Sequence, residues 1–103
     1  MEKILETINV TKWKGIYEKN KENSDYIVLD VRTYEEFEED NIERAMNLDF
    51  YSKDFKKQLE KLDKNKKYLI YCRSGYRSSI TLDIMKKLGF MVVYDLKGGF
   101  NCW

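Results

Sequence analysis

Tyr68-Leu69-Ile70-Tyr71-Cys72-Arg73-Ser74-Gly75-Tyr76-Arg77 is the stretch on which the fold turns. Its first four residues are apolar without alternation, which suits a strand covered on both faces, as in a parallel sheet. From about Arg77 to Leu88 the spacing turns helical, with Ile80, Ile84 and Leu88 as an inner stripe and Gly89 as a C-terminal stop. Between strand and helix sits a short polar loop. Two other runs read as the same kind of strand, Tyr26-Ile27-Val28-Leu29 and Phe90-Met91-Val92-Val93-Tyr94. Ala45-Met46-Asn47-Leu48 adds an edge or inner strand, and Ile4 to Ile8 adds another. Helical patterns fill the gaps. Thr11 is placed to cap a helix carrying Trp13, Ile16 and Tyr17 on one face. Ser52 is placed to cap another, with Phe55, Leu59 and Leu62 in register, and a short acidic helix spans Tyr34 to Glu39. Strands alternating with helices predict an α/β domain: a mostly parallel central sheet flanked by helices on both faces. Sites in such folds collect beyond the carboxyl ends of strands, where Asp30-Val31-Arg32 and the segment from Cys72 onward fall.

The chain of 103 residues reads as one domain, 1–103, with 43% apolar and 15% aromatic residues, enough for a core without disulfide staples. Its 19 basic and 18 acidic residues leave a formal charge of +1, which argues against a nucleic-acid binder. There is no proline and no histidine. The missing imidazole excludes Ser-His-Asp and Cys-His mechanisms and His-bearing zinc sites together. Cys72 and Cys102 lie thirty positions apart, so no C-x-x-C pair offers a redox motif or a metal knuckle. The acids in Met1-Glu2-Lys3-Ile4-Leu5-Glu6 interrupt any secretory h-region, and no apolar run approaches a membrane span. The expectation is a cytoplasmic protein with free thiols, no cofactor, no metal and no membrane partner.

The chemistry concentrates in Cys72-Arg73-Ser74-Gly75-Tyr76-Arg77. The helix starting near Arg77 presents unpaired N–H groups and the positive end of its dipole. Gly75 is free to take a positive φ and turn the loop amides inward into an anion-binding nest. Arg73 and Arg77 add two positive charges. All three favour thiolate over thiol, so Cys72 reads as a nucleophile that needs no adjacent base.

This stretch resembles the active-site loop of rhodanese-like sulfurtransferase domains, with Cys72 in the position of the persulfide-carrying cysteine. Two further segments carry the resemblance. Asp30-Val31-Arg32 with Glu36-Phe37, Ile42, Ala45 and Asn47 is similar to the family's first signature. Gly98-Gly99-Phe100 ending at Trp103 is similar to its Gly-Gly-x-x-x-Trp element. The departures are Asp40-Asn41-Ile42 where the family usually has Gly-His-Ile, and Glu43-Arg44-Ala45 where it usually has Pro-Gly-Ala. Relatives acting as phosphatases or arsenate reductases use a Cys-x5-Arg loop. The Cys-x4-Arg spacing from Cys72 to Arg77 makes a smaller cradle and, by resemblance, favours sulfur transfer.

The resemblance implies a rhodanese-like fold and a two-step cycle through a Cys72 persulfide. The donor would be thiosulfate or another persulfide, and the acceptor cyanide or a protein thiol. Loop amides from Arg73 to Arg77 and the Ser74 hydroxyl would hold the outer sulfur, Arg77 would fix the loop or an anionic donor, and Tyr76 would either wall the pocket or lie on the surface. Asp30 would either orient the loop arginine or line the pocket, and Arg32 would pair with Glu36. Cys102 is expected to pack, and the lysine-rich and acidic stretches to be solvated faces. The competing reading is a non-catalytic rhodanese-like module for protein contacts or sulfide sensing; retention of the cysteine in a full loop favours the enzyme.

Overall fold

The computed structural model describes residues 2–103; Met1, the first residue of the leader and single-domain readings, lies outside them. Five parallel strands form one sheet in the order β1-β5-β4-β2-β3: β1 Ile4–Ile8, β2 Tyr26–Asp30, β3 Ala45–Asn47, β4 Lys67–Tyr71 and β5 Val92–Leu96. Four helices alternate with them: α1 Val10–Asn20, α2 Tyr34–Glu39, α3 Phe55–Glu60 and α4 Tyr76–Leu88, with a closing 3-10 turn at Gly99–Cys102. The α/β class and the covered parallel sheet agree with the sequence pattern, and the parallelism is complete rather than partial.

Pleating sends alternate residues of β4 to opposite layers. Tyr68, Ile70 and Cys72 enter a core with Leu29, Val93, Phe55, Leu59, Leu82, Met85 and Phe90. Leu69 and Tyr71 enter the other, with Val28, Leu96, Trp13 and Tyr17. The first layer is covered by α3 and α4, the second by α1. This two-sided burial is why β4 shows no polar alternation.

Several local readings need correction. Asn9, not Thr11, caps α1, its side chain accepting from the Lys12 amide at 2.9 Å. Ser52 shapes the turn ahead of α3 instead of capping it: its Oγ accepts from the Asp54 amide and its carbonyl from Phe55. The third strong strand begins at Val92, not Phe90, because Phe90 is drawn into the core by the αL turn at Gly89. The buried stripe of α4 is Ser78, Thr81, Leu82 and Met85, while Ile80, Ile84 and Leu88 are only half-buried. Two polar residues on that stripe, Ser78 and Thr81, hide it from a hydrophobic count, and Ser78 faces Cys72. Where the family pattern has Gly, Arg44 sits at φ 75° ahead of β3, the sole non-glycine residue in the left-handed region among those described.

Candidate active site

Strands β2 and β4 are adjacent, and both end at the same rim of the sheet. That places Asp30-Val31-Arg32 beside the loop that leaves β4 at Cys72. Cys72 is 1% exposed at the floor of this loop. Gly75 takes φ 109°, and its N–H donates to Cys72 Sγ at 3.0 Å. Gly75 also occupies the N-cap position of α4, where no side chain caps the helix. The cysteine sulfur thus receives the N-cap amide, the one that a Glu or Gln at the third helical position serves in a capping box and that Ser78, which stands there, does not take. Ser78, one turn into α4 and fully buried, puts its Oγ 3.4 Å from Cys72 Sγ.

The C-terminal segment braces the loop from below. Phe100 N–H donates to the Cys72 carbonyl at 2.7 Å and Asn101 N–H to the Arg73 carbonyl at 2.9 Å. Gly99, at φ 63°, makes this approach feasible: a Cβ there would lie 2.5 Å from the Cys72 carbonyl oxygen and 2.6 Å from the Arg73 carbonyl. The Gly-Gly element therefore serves as the seat of the cysteine loop.

A carboxylate organises the loop's two arginines. Thr33 and Glu36 form a capping box at the start of α2, with Glu36 N–H bonded to Thr33 Oγ1 and Thr33 N–H to Glu36 Oε1. From that fixed position Glu36 accepts from Arg77 at 2.7 and 3.2 Å and from Arg73 Nε at 2.7 Å. The Arg77 bonds hold the Glu36 carboxyl well below the usual carboxylate range; burial opposes them, and the Thr33 amide and Arg73 reinforce them. Arg77 is correspondingly raised by the same carboxylate.

The pairing expected for the first signature is therefore exchanged. Arg32 turns back on Asp30 in a buried ion pair, donating from Nε to both oxygens and from Nη2 at 2.8 Å. It also donates to the Asp40 carbonyl and stacks under Phe100, 4.5 Å from the ring centroid. Asp30 consequently does not orient a loop arginine, and Arg32 does not bond Glu36. Arg32 is the bracket joining β2, the exit of α2 and the C-terminal turn. Asn47 Nδ2 ties β3 to the same corner through the carbonyls of Asp30 and Arg32.

Of the loop side chains, Arg73 and Ser74 are exposed, Tyr76 is 71% exposed, and Arg77 is half-buried. Tyr76 is thus a surface aromatic. Cys102 is exposed, against the expectation that it packs; its sulfur lies over the Gly98 backbone, where a Cβ would come within 2.4 Å. Ser78 is not legible in the sequence, hidden by a misplaced helical stripe, and Glu36, expected as the partner of Arg32, instead holds Arg73 and Arg77.

The pattern of the rhodanese-like domain family matches residues 14–103, and the chain belongs to that family. It is 35% identical over 79 residues to thiosulfate sulfurtransferase GlpE of Coxiella burnetii, covering 77% of this chain and 72% of that one. It is 35% identical over 107 residues to the tRNA uridine(34) hydroxylase of Rickettsia canadensis, covering 92% of this chain but 42% of that protein. Among solved structures, a rhodanese-related protein from Thermoplasma volcanium superimposes with a TM-score of 0.76 at 27% identity, over 94% of this chain and 88% of the other. No helix among the described residues is long and apolar enough to cross a membrane.

Proposed function

We propose that this protein is a rhodanese-type sulfurtransferase working through a persulfide on Cys72. The observation that carries the reading is the seating of the Cys72 sulfur. It lies at the floor of a Cys-x4-Arg loop, 3.0 Å from the Gly75 amide, with the loop carbonyls clamped from below and its arginines fixed by Glu36. The similarity to a thiosulfate sulfurtransferase over most of both chains supports the same reading.

In the first half-reaction the Cys72 thiolate attacks the outer sulfur of thiosulfate or a persulfide. A new S–S bond forms to Cys72, the donor's own S–S bond breaks, and sulfite or a thiolate leaves with the electron pair. In the second, cyanide or a protein thiolate attacks the outer sulfur, the bond to Cys72 breaks, and the thiolate returns. This is covalent catalysis of the ping-pong kind, with the steps of thiol–disulfide exchange. Gly75 N–H supplies a donor toward the sulfur, and the amides that open α4 add the positive end of its dipole. The proposed setting is the cytoplasm, with a small sulfur donor and a thiol acceptor as partners.

Intact mass after incubation with thiosulfate, or with cysteine persulfide, tests the cycle. Wild type should gain one sulfur and lose it to cyanide, while Cys72→Ser gains none and keeps its fold. Absence of any gain from both donors would transfer the reading to a non-catalytic binding module.

A further inference from the structure

A cavity of about 310 Å³ lies in the layer under α1, at the end of the sheet away from Cys72. It opens where α1 ends, between residues 21–24 and the strands β2 and β3. Tyr26, on its wall, pairs in register with Lys67, the first residue of β4, whereas Cys72 follows the last. Val28, Leu69 and Tyr17 form a buried apolar floor. Tyr17 is pinned there by its hydroxyl, which donates to the Glu43 carbonyl at 2.9 Å. Met46 lines the cavity on the solvent side, where it is 41% exposed. The volume falls in the range of small-molecule sites.

Arg44 reaches across this cavity from a costly position. It stands at φ 75° ahead of β3, and its Nη2 donates to both carboxylate oxygens of Glu22, to Oε2 at 2.9 Å. The pair joins the lead-in of β3 to the turn after α1, with side chains 49% and 69% exposed. An exposed ion pair returns little stability, and a side chain at positive φ costs some. Stability therefore does not account for an arginine at this position. The other cation of the lining, Lys21, pairs with Glu18 and lies 5.9 Å from the Tyr17 ring centroid. The cavity thus presents a carboxylate seat on Arg44 beside an apolar floor, and the carboxylate now seated there belongs to a side chain mostly in water.

We propose that this cavity binds a small carboxylic acid with an apolar body, an aryl- or alkyl-carboxylate, and that the Arg44–Glu22 pair is its latch. The ligand carboxylate replaces Glu22 on the Arg44 guanidinium, and the apolar body lies on Val28 and Leu69. Glu22 turns out into solvent. The guanidinium passes from one carboxylate to another, so the exchange leaves no charge buried without a partner. Removing the apolar body from water drives it, and the unbranched Met46 thioether adapts to the shape of what enters. An uncharged analogue has nothing to offer Arg44 and leaves the latch closed. The site is separate from Cys72, and the inference stands or falls independently of sulfur transfer.

The test is amide chemical-shift titration of nitrogen-15-labelled protein at low salt, with phenylbutyrate as the acid and phenylbutanol as its uncharged counterpart. Phenylbutyrate should shift the Val28, Arg44 and Met46 amides to saturation and bind about five-fold more tightly than phenylbutanol. Glu22→Gln removes the competing carboxylate and should tighten phenylbutyrate about three-fold while leaving phenylbutanol unchanged. Arg44→Gly takes the same backbone angle without strain, so it should fold, and it should erase the preference for the acid. Equal affinity for the two compounds in wild type overturns the proposal. So does a Glu22→Gln protein that binds the acid no better, a preference that survives Arg44→Gly, or shifts that gather at Gly75 instead of at the cavity.

Discussion

Gly99 is the residue at which the site is most sensitive to a single carbon. Its positive φ and the Cys72 and Arg73 carbonyl atoms at 2.5–2.6 Å from any Cβ leave a side chain nowhere to go. Gly99→Ala should therefore cost about 2–4 kcal/mol in urea unfolding, strain and lost loop hydrogen bonds together. It should also slow sulfur loading more than the stability loss alone would, because it displaces the floor on which Cys72 sits. Gly98 differs in kind: a Cβ there meets the Cys102 sulfur, a side-chain atom that is free to rotate. The two glycines look equivalent in sequence, and only the packing separates their roles.

The elements meet at Glu36, where the first turn of α2 holds the loop that starts α4. Its carboxyl is depressed mainly by Arg77, so its contribution to stability has a definite direction with pH. Above the ordinary Glu value of about 4.3 the stabilisation is complete; it drains away as pH falls toward the depressed folded-state value. Glu36→Gln should thus be less stable than wild type by about 1–3 kcal/mol at pH 7. The gap measured by urea unfolding should narrow steadily between about pH 4 and pH 2. The Arg73 arm, with its side chain 48% exposed, contributes the smaller share. At this scale the limits of sequence reading are also clearest. β2 and β4 declared themselves as unbroken apolar runs because both faces are covered. The cysteine loop declared itself through Gly75 and its arginines. What could not be read was partner choice. Arg32 lies two residues from Asp30 and four from Glu36, and spacing alone favours neither. The choice is made by Phe100, which stacks on the guanidinium from the far end of the chain. Ser78 and Thr81 likewise break the apolar stripe of α4, so its apolar spacing points a step out of phase with the buried face.

For the whole molecule, the layer under α1 is closed by aromatic contact. Trp103 packs edge-on to Trp13 and Tyr17 at 5.6 and 5.5 Å, under the Lys14 ammonium. Trp103→Ala should cost about 2–3 kcal/mol, read as a lowered midpoint in urea followed by Trp13 fluorescence. Part of that loss should reach the site, since the turn bearing Trp103 also supplies the amides beneath Cys72. The same clamp has a consequence for the order of events in translation. Cys72 is synthesised before Gly99, Phe100 and Asn101, so its loop is made ahead of the amides that hold its carbonyls. When the loop is made, β5 and the 3-10 turn are still to come, and it has no floor to hold its curvature. The cysteine loop is therefore a long-range construction, its curvature set by a segment nearly thirty residues further along the chain.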